Sequence, residues 1–344
     1  MNTSQGSFGR AFLQNRKKHF SLLAVLFLSV VLLFIVALFL GSTEINFKYC
    51  FSAFSTGEYT DPNFRIFSFI RLPRALAALL SGGALAVSGV LIQALLSNPM
   101  AAPNIIGVNS GAGLSATVII ALFPNALVFL PIAAFFGALF TCILIYSISI
   151  KTNASRLTIT LVGIAVGSVL NAIINTIKVF SPDSVYDTDL YMIGGFSGAT
   201  YGKLVPAGIL IFIALMFAVL LSRDIDVLSL GAAQAASLGL NVPFKRLILM
   251  IIASALAGAA VSFAGLLGFV GLLVPHIIRR FIGNRHKILI IGSSLLGSAL
   301  VLACDIISRV AFAPYEIPVG ILLSIVGGIF FICLVLFGRK GETL

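Results

Sequence analysis

Few side chains in this 344-residue sequence are of a type that makes or breaks bonds, and their spacing argues against catalysis. The histidines are His19, His276 and His286, and none has a carboxylate or a second histidine at ligand spacing. A metal or acid–base site needs such groups to converge, so each histidine reads as structural or interfacial. The cysteines, Cys50, Cys142, Cys304 and Cys333, form no CxxC pair. Three of them fall in or beside apolar runs, where cysteine behaves as a small hydrophobe. The phosphate-cradling pattern GxxxxGK[ST] is absent, so no ATP hydrolysis by that route is expected. No nucleophile elbow and no HExxH is found either. The expectation is a conduit with no catalytic residue, no metal and no cofactor.

The residues left to carry function are polar groups inside or at the mouths of apolar runs, where they are costly and therefore candidates by default. Arg71-Leu72-Pro73-Arg74 stands at the mouth of one run, and Pro73 suits the first turn of a helix. Both arginines are then expected to project into the outside interface. Arg309 follows Asp305 by four residues, which permits either a local helical ion pair or a basic rim that meets carboxylates on a partner. Ser168, Asn171 and Asn175 share one helical face and either bond to neighbouring helices or line a watery path. Gly320, Ser324, Gly327 and Gly328 give a smooth face suited to a subunit contact or a movable gate.

The elements that must position these groups are membrane helices. Hydrophobic residues make up 59% of the chain and charged residues only 10%, against the roughly 25% typical of soluble domains. A spanning helix needs about 20 apolar residues. Apolar runs fall near 20–41, 75–95, 106–123, 126–149, 157–178, 204–222, 246–268, 270–282, 288–307 and 318–337, so about ten helices are expected in one all-α domain covering 1–344. The first run is too long for a signal peptide and lacks an evident cleavage site. The 270–282 run is short for a span. Absence of alternating patterns speaks against a barrel.

Charge sets the orientation. The net charge is +11, but the bases are scattered between apolar runs and form no dense stripe for nucleic acid. With both ends in the cytoplasm, 15 of the 22 bases lie inside, including a basic N-terminus (1–19), and 8 of the 11 acids lie outside. That asymmetry supports an N-in, C-in topology. Two loops stand out: an outside loop at 181–203, with a short helix expected near 190–200, and a cytoplasmic loop at 225–243.

At this point a series of motifs resembles a known family. Arg71-Leu72-Pro73-Arg74 is followed by Gly82, Ser88-Gly89 and Gln93, then Asn98-Pro99-Met100-Ala101 and Pro103. Later come Gly231, Ala235 and Leu238-Gly239, then Gly265 to Arg279 with Phe269, Gly271, Pro275 and His276, and last Asp305, Arg309 and Glu316-Ile317-Pro318-x-Gly320. Together, in order from about 65 to 337, they resemble the iron-siderophore, haem and cobalamin permeases of the FecCD/BtuC type. Departures are Ala232, where many relatives carry an acid, Ile329, where proline is frequent, and Phe196 and Tyr201, where tryptophan is frequent.

The resemblance implies a type II importer permease fold in the bacterial cytoplasmic membrane, paired with itself or a paralogue. It implies two ATP-binding subunits inside and a substrate-binding protein outside. Arg71, Arg74 and Arg309 then match the rim that receives glutamates of the binding protein. Gly231, Ala235, Leu238 and Gly239 match the coupling helix. The span with Ser168, Asn171 and Asn175 matches a helix lining the path, with the outer short helix and the span with Gly320 and Ser324. Ferric siderophore is the first expected cargo, with haem or cobalamin next. A gradient-driven transporter would need buried acidic or histidine relays, and a membrane enzyme a catalytic constellation. Neither is found in the sequence.

Overall fold

The expected apolar runs all become helices. The structure, a computed structural model, describes residues 4–41, 43, 61–151, 156–311 and 313–338. Of these, side chains are not described at 4–17, 105, 106, 149–151, 156, 157, 335, 337 and 338. Lys48, Cys50, Arg339, Lys340 and the side chains of Arg10, Arg16 and Lys17 therefore lie outside what is described.

The long helices are α1 (Ser4–Phe39), α2 (Pro62–Leu95), α3 (Val108–Leu122), α4 (Leu130–Lys151) and α5 (Arg156–Phe180). A short α6 (Val185–Ile193) leads into α7 (Tyr201–Leu220). Two short helices, α8 (Ser222–Leu228) and α9 (Ala232–Ser237), precede α10 (Val242–Ala264). Then come α11 (Val270–Ile282), α12 (His286–Val310) and α13 (Val319–Gly338). Among the described residues, seven helices have the length and apolar character to cross a bilayer, and α3 and α13 contain shorter apolar stretches. Adding the 13-residue α11 completes the ten expected helices. Large apolar side chains on α1, α5 and α7, such as Phe20, Leu161 and Phe212, are well exposed. In water that surface would be very costly, whereas lipid accepts it.

Two entries into the bundle differ from expectation. Pro73 does not begin a helix, because α2 already starts at Pro62, where Asp61 accepts hydrogen bonds from the backbone N–H groups of Asn63 and Phe64. A π-helical turn at Phe67–Arg71 intervenes, with the Leu72 N–H bonded to the Phe67 carbonyl. One extra residue in the ladder lets the chain pass Pro73, which lacks an N–H, without breaking the helix. The outer-loop helix lies earlier than 190–200, at Val185–Ile193. It stops because Gly194 takes a positive φ of 80° and turns the chain back.

α2 and α10 form the centre. In each, 83% of the apolar stretch is buried, against 17% for α5 and 11% for α1. α2 crosses α12 and α11 through small residues. A Cβ on Gly82 would sit 2.3 Å from the Gly297 carbonyl oxygen, and one on Gly89 would sit 1.9 Å from that of Gly271. Helices in lipid associate by such close backbone approach, since lipid removes the hydrophobic drive between them. Buried hydroxyls add bridges: Ser88 donates to the Ala253 carbonyl at 2.7 Å and Ser298 to that of Leu79 at 2.7 Å.

Candidate functional sites at the two ends and the open face

The bundle separates its charges to two ends. One end gathers the C-terminus of α1, the start of α2, the end of α12 and the start of α13. Arg71, Arg74 and Arg309 meet there, 3%, 8% and 2% exposed, around Asp305, which is fully buried. Arg74 Nε lies 2.9 Å from one Asp305 oxygen and its Nη1 lies 2.6 Å from Glu316. Arg309 Nη2 lies 3.0 Å from the other Asp305 oxygen, though off the line of a directed hydrogen bond. The outward projection expected for these arginines is therefore corrected: all three turn inward.

Their remaining donors close off α1. Arg71 donates to the carbonyls of Leu38 at 2.9 Å, Phe39 at 2.6 Å and Thr43, and Arg309 to those of Ala37 and Leu40. The last carbonyls of a helix have no partner within it, and a cation at that end also suits the helix dipole. The spacing of Asp305 and Arg309 is the local ion pair weighed from the sequence. The two long-range partners, Glu316 and the end of α1, are what sequence spacing could not reveal.

A cavity of about 410 Å³ opens beside this cluster, lined by Arg74, Glu316, Lys203, Asp187 and the Gly194–Gly198 turn among others. α6 is fastened there by backbone bonds from Gly195 to Ala264 at 2.8 Å and from Leu266 to Tyr191 at 3.1 Å. The Tyr191 hydroxyl donates to the Val261 carbonyl at 2.9 Å, and burial pushes that phenol's pKa up, so it stays a donor.

The opposite end carries α8, α9 and the starts of α10 and α12. Ala235 of α9 is fully buried and anchors the short helix, while Leu230, Leu238 and Phe244 are 60%, 65% and 56% exposed. Gly231 and Gly239 bound α9 with φ of 113° and 83°, which a side chain would strain. The result is a six-residue helix with an exposed apolar rim. Sequence reading missed Asp226. Its carboxylate accepts from the His286 backbone N–H at 3.0 Å and meets the His286 ring at 2.6 Å, so α8 caps α12 from outside the helix. Lys245 pairs with Asp224 at 2.6 Å beside it. His276 packs edge-on against Phe330, a structural contact.

The third region is a face left open between the ends. Gly320 and Ser324 of α13 line a cleft of about 610 Å³ with Asn104, Asn109, Met192, Phe269 and neighbours. A Cβ on Gly320 would lie 1.8 Å from the Ile193 carbonyl oxygen, so glycine here seats α13 against α6. Phe269 holds a left-handed φ of 64° and its ring covers Gly327. Such strain in a bulky residue costs about 1–3 kcal/mol and persists only where the surroundings impose it. The Asn109 Oδ1 is buried without a hydrogen-bond partner. Ser168, Asn171 and Asn175 are not in this cleft. They lie exposed along α5, beside an adjacent face on which Gly163, Gly167 and Ile174 are buried. Ser168 only bonds back to the Ile164 carbonyl at 2.9 Å. One copy of the chain does not bring the two polar groups together. Among the described residues, no group of three or more His, Cys, Asp and Glu side chains is placed to hold a metal ion.

Comparison with known proteins fits this architecture. The sequence profile of the FecCD transport family matches residues 28–337. The hemin transport system permease protein HmuU of Yersinia pestis is 35% identical over 325 residues, 92% of this chain and 97% of that one. The Fe(3+)-citrate import system permease protein YfmE of Bacillus subtilis is 33% identical over 334 residues, 95% and 98% of the two chains. The Fe(3+) dicitrate transport system permease protein FecD of Escherichia coli is 35% identical over 265 residues, 77% and 83%. A solved inward-facing metal-chelate type ABC transporter aligns with a TM-score of 0.79 at 26% identity, covering 92% of this chain and 99% of that one.

Proposed function

This chain belongs to the FecCD transport family, as a multi-pass permease subunit of an ATP-binding-cassette importer in the bacterial cytoplasmic membrane, and we propose that its cargo is a ferric siderophore. The profile match across 28–337 carries the reading. ATP is hydrolysed by two separate subunits that receive α9 at the end bearing Asp226, and this end faces the cytoplasm. Its described bases, among them Arg223, Lys245, Arg246, Arg285 and Lys287, support that orientation. A substrate-binding protein docks at the arginine end. Arg74, through its cavity, is the arginine nearest to such a partner, while Arg71 and Arg309 stiffen the platform beneath.

A second permease subunit, a copy or a paralogue, closes the open face. The polar stripe of Ser168, Asn171 and Asn175 then lines the translocation path with the cleft of Gly320 and Ser324. Two exposed asparagines in the middle of α5 favour this over lipid contact, because an amide facing lipid has nothing to bond. ATP-driven closure of the ATP-binding subunits moves α8 and α9. The Asp226–His286 contact passes that motion to α12, and the loosely packed α5 and α13 shift against the central helices. A wide path with few strong contacts suits a bulky chelate that must be released.

Haem is the second reading, favoured by the relative of Yersinia pestis, whose name is that of a hemin permease. The deciding experiment reconstitutes the full transporter in vesicles and compares uptake of a radiolabelled ferric hydroxamate with haem. Uptake is expected only with ATP and the binding protein. Uptake that persists without ATP under an imposed ion gradient refutes the reading.

A further inference from the structure

Arg74 is held between two carboxylates of unequal standing. Asp305 is fully buried and is shared with Arg309. Glu316 sits on the connection from α12 to α13, and its side chain is 32% exposed. Its oxygen meets Arg74 Nη1 at 2.6 Å. The pair opens on the 410 Å³ cavity, so the Glu316 carboxylate occupies the side of the guanidinium that can be reached from outside. Arg74 itself is only 8% exposed, and Asp305 blocks its inner side.

We propose that Glu316 is an intramolecular latch: it occupies the face of Arg74 that an acidic side chain of the docking protein takes, and docking displaces it. This rests on the reading that the arginine end receives a substrate-binding protein. The asymmetry of the two carboxylates gives the physical reason. Removing Asp305 from Arg74 would strand buried charges, which is strongly unfavourable. Releasing Glu316 costs less than releasing Asp305, because its side chain is 32% exposed and regains water on leaving while the incoming carboxylate takes its place on Arg74. Lys203, half-buried on the same cavity wall with its Nζ donating to the Gly198 carbonyl at 3.2 Å, offers the released carboxylate a second cation. The guanidinium fork has donors to spare, so an incoming carboxylate can bind it in two-point fashion as Glu316 leaves.

The latch also gives a selection. A partner without a carboxylate at the right place does not release Glu316 and gains nothing from Arg74. Competition of this kind lowers the apparent affinity of the true partner by the fraction of time the latch is closed. The released segment leads through Pro318 straight into Val319 and Gly320 of α13, so docking would free the head of the helix that borders the cleft.

The test uses the whole transporter with its ATP-binding subunits in lipid nanodiscs and its own substrate-binding protein, titrated by surface plasmon resonance. Glu316→Gln removes the competing charge, and Glu316→Asp keeps the charge on a shorter arm. The latch predicts that Glu316→Gln binds about threefold tighter than the unaltered transporter, in keeping with loss of a partly exposed ion pair, and that Glu316→Asp stays near the unaltered value. A merely structural role would leave affinity unchanged or weaken it, so equal or weaker binding of a Glu316→Gln transporter that elutes as an intact complex overturns the latch. Absence of any binding to the unaltered transporter overturns the docking reading itself, and the latch with it.

Discussion

Replacing Asp305 with asparagine takes away the carboxylate that two buried arginines share. Arg74 Nε stands 2.9 Å and Arg309 Nη2 3.0 Å from its oxygens, and none of the three groups is more than 8% exposed. At about 3 Å and an effective dielectric of roughly 20, each contact is an attraction of about 5 kcal/mol before desolvation is charged against it. Desolvation of three ions consumes most of that, so the cluster as a whole adds little to stability. The single substitution does not restore the balance. It removes the attraction and leaves both arginines dehydrated, a loss of about 3–5 kcal/mol. Arg74 keeps Glu316 and Arg309 keeps the α1 carbonyls, which places the expectation near the lower figure. The assay is heat challenge of the detergent-solubilised protein followed by size exclusion. The midpoint is expected to fall on the order of 5–10 °C. Combining Asp305→Asn with Arg309→Met should recover part of that loss, because no buried cation is then stranded at 309, with a coupling of about 1 kcal/mol or more. A midpoint within about 1 °C of the unaltered protein, or strict additivity in the double variant, would refute the reasoning.

Other outcomes follow from the same geometry. Gly89→Val puts branched carbon against the Gly271 carbonyl, 1.9 Å from where a Cβ would lie. It should cost at least 1–3 kcal/mol, or roughly 10-fold or more in the folded fraction, read as lost monodisperse protein. Leu238→Asp changes a side chain that is 65% exposed, so the permease alone should keep its heat midpoint while co-purification of the ATP-binding subunits drops several-fold. Asn171→Leu and Asn175→Leu, both on the exposed side of α5, should lower uptake while ATP hydrolysis by the assembled transporter continues; full uptake would remove α5 from the path. Asp226→Ala strips the external cap from α12 and should cost about 0.5–2 kcal/mol, with looser coupling of ATP hydrolysis to uptake.

The architecture was readable from sequence because the bilayer enforces it. Each apolar run had one way to satisfy its backbone, and α11, short as it is, follows from the same rule. Gly82 and Gly89 were visible in the sequence only as motif positions; that they stand where α2 crosses its neighbours most closely came from the structure. The direction of the arginines was not readable. A basic residue near a helix mouth can point out to water or in to a carbonyl, and the choice depended on where α1 ends relative to α2 and α12. Sequence contains that only as a contact 269 residues away, between Arg309 and Leu40. The start of α2 was misjudged for a local reason, because Pro73 suits a first turn and nothing in its neighbours announces a π turn. Asp226 escaped notice because an acid in a polar loop is ordinary, and only its distance to His286 gives it work. Ser168, Asn171 and Asn175 were correctly seen as one face, but a single chain cannot supply what covers them.

The π turn at Phe67–Arg71 fixes the rotational phase of everything that follows in α2. One residue of an α-helix corresponds to about 100° of rotation. Deleting one residue from that turn would leave a helix of ordinary regularity and healthy composition. It would also swing Arg74 away from Asp305, and Gly82 and Gly89 away from the helices they touch, all at once. The irregular turn thus acts as an indexing notch. Single-residue deletions there should be far more damaging than their chemistry suggests, and a compensating one-residue insertion three or four residues upstream, which restores the phase, should be the change that rescues them.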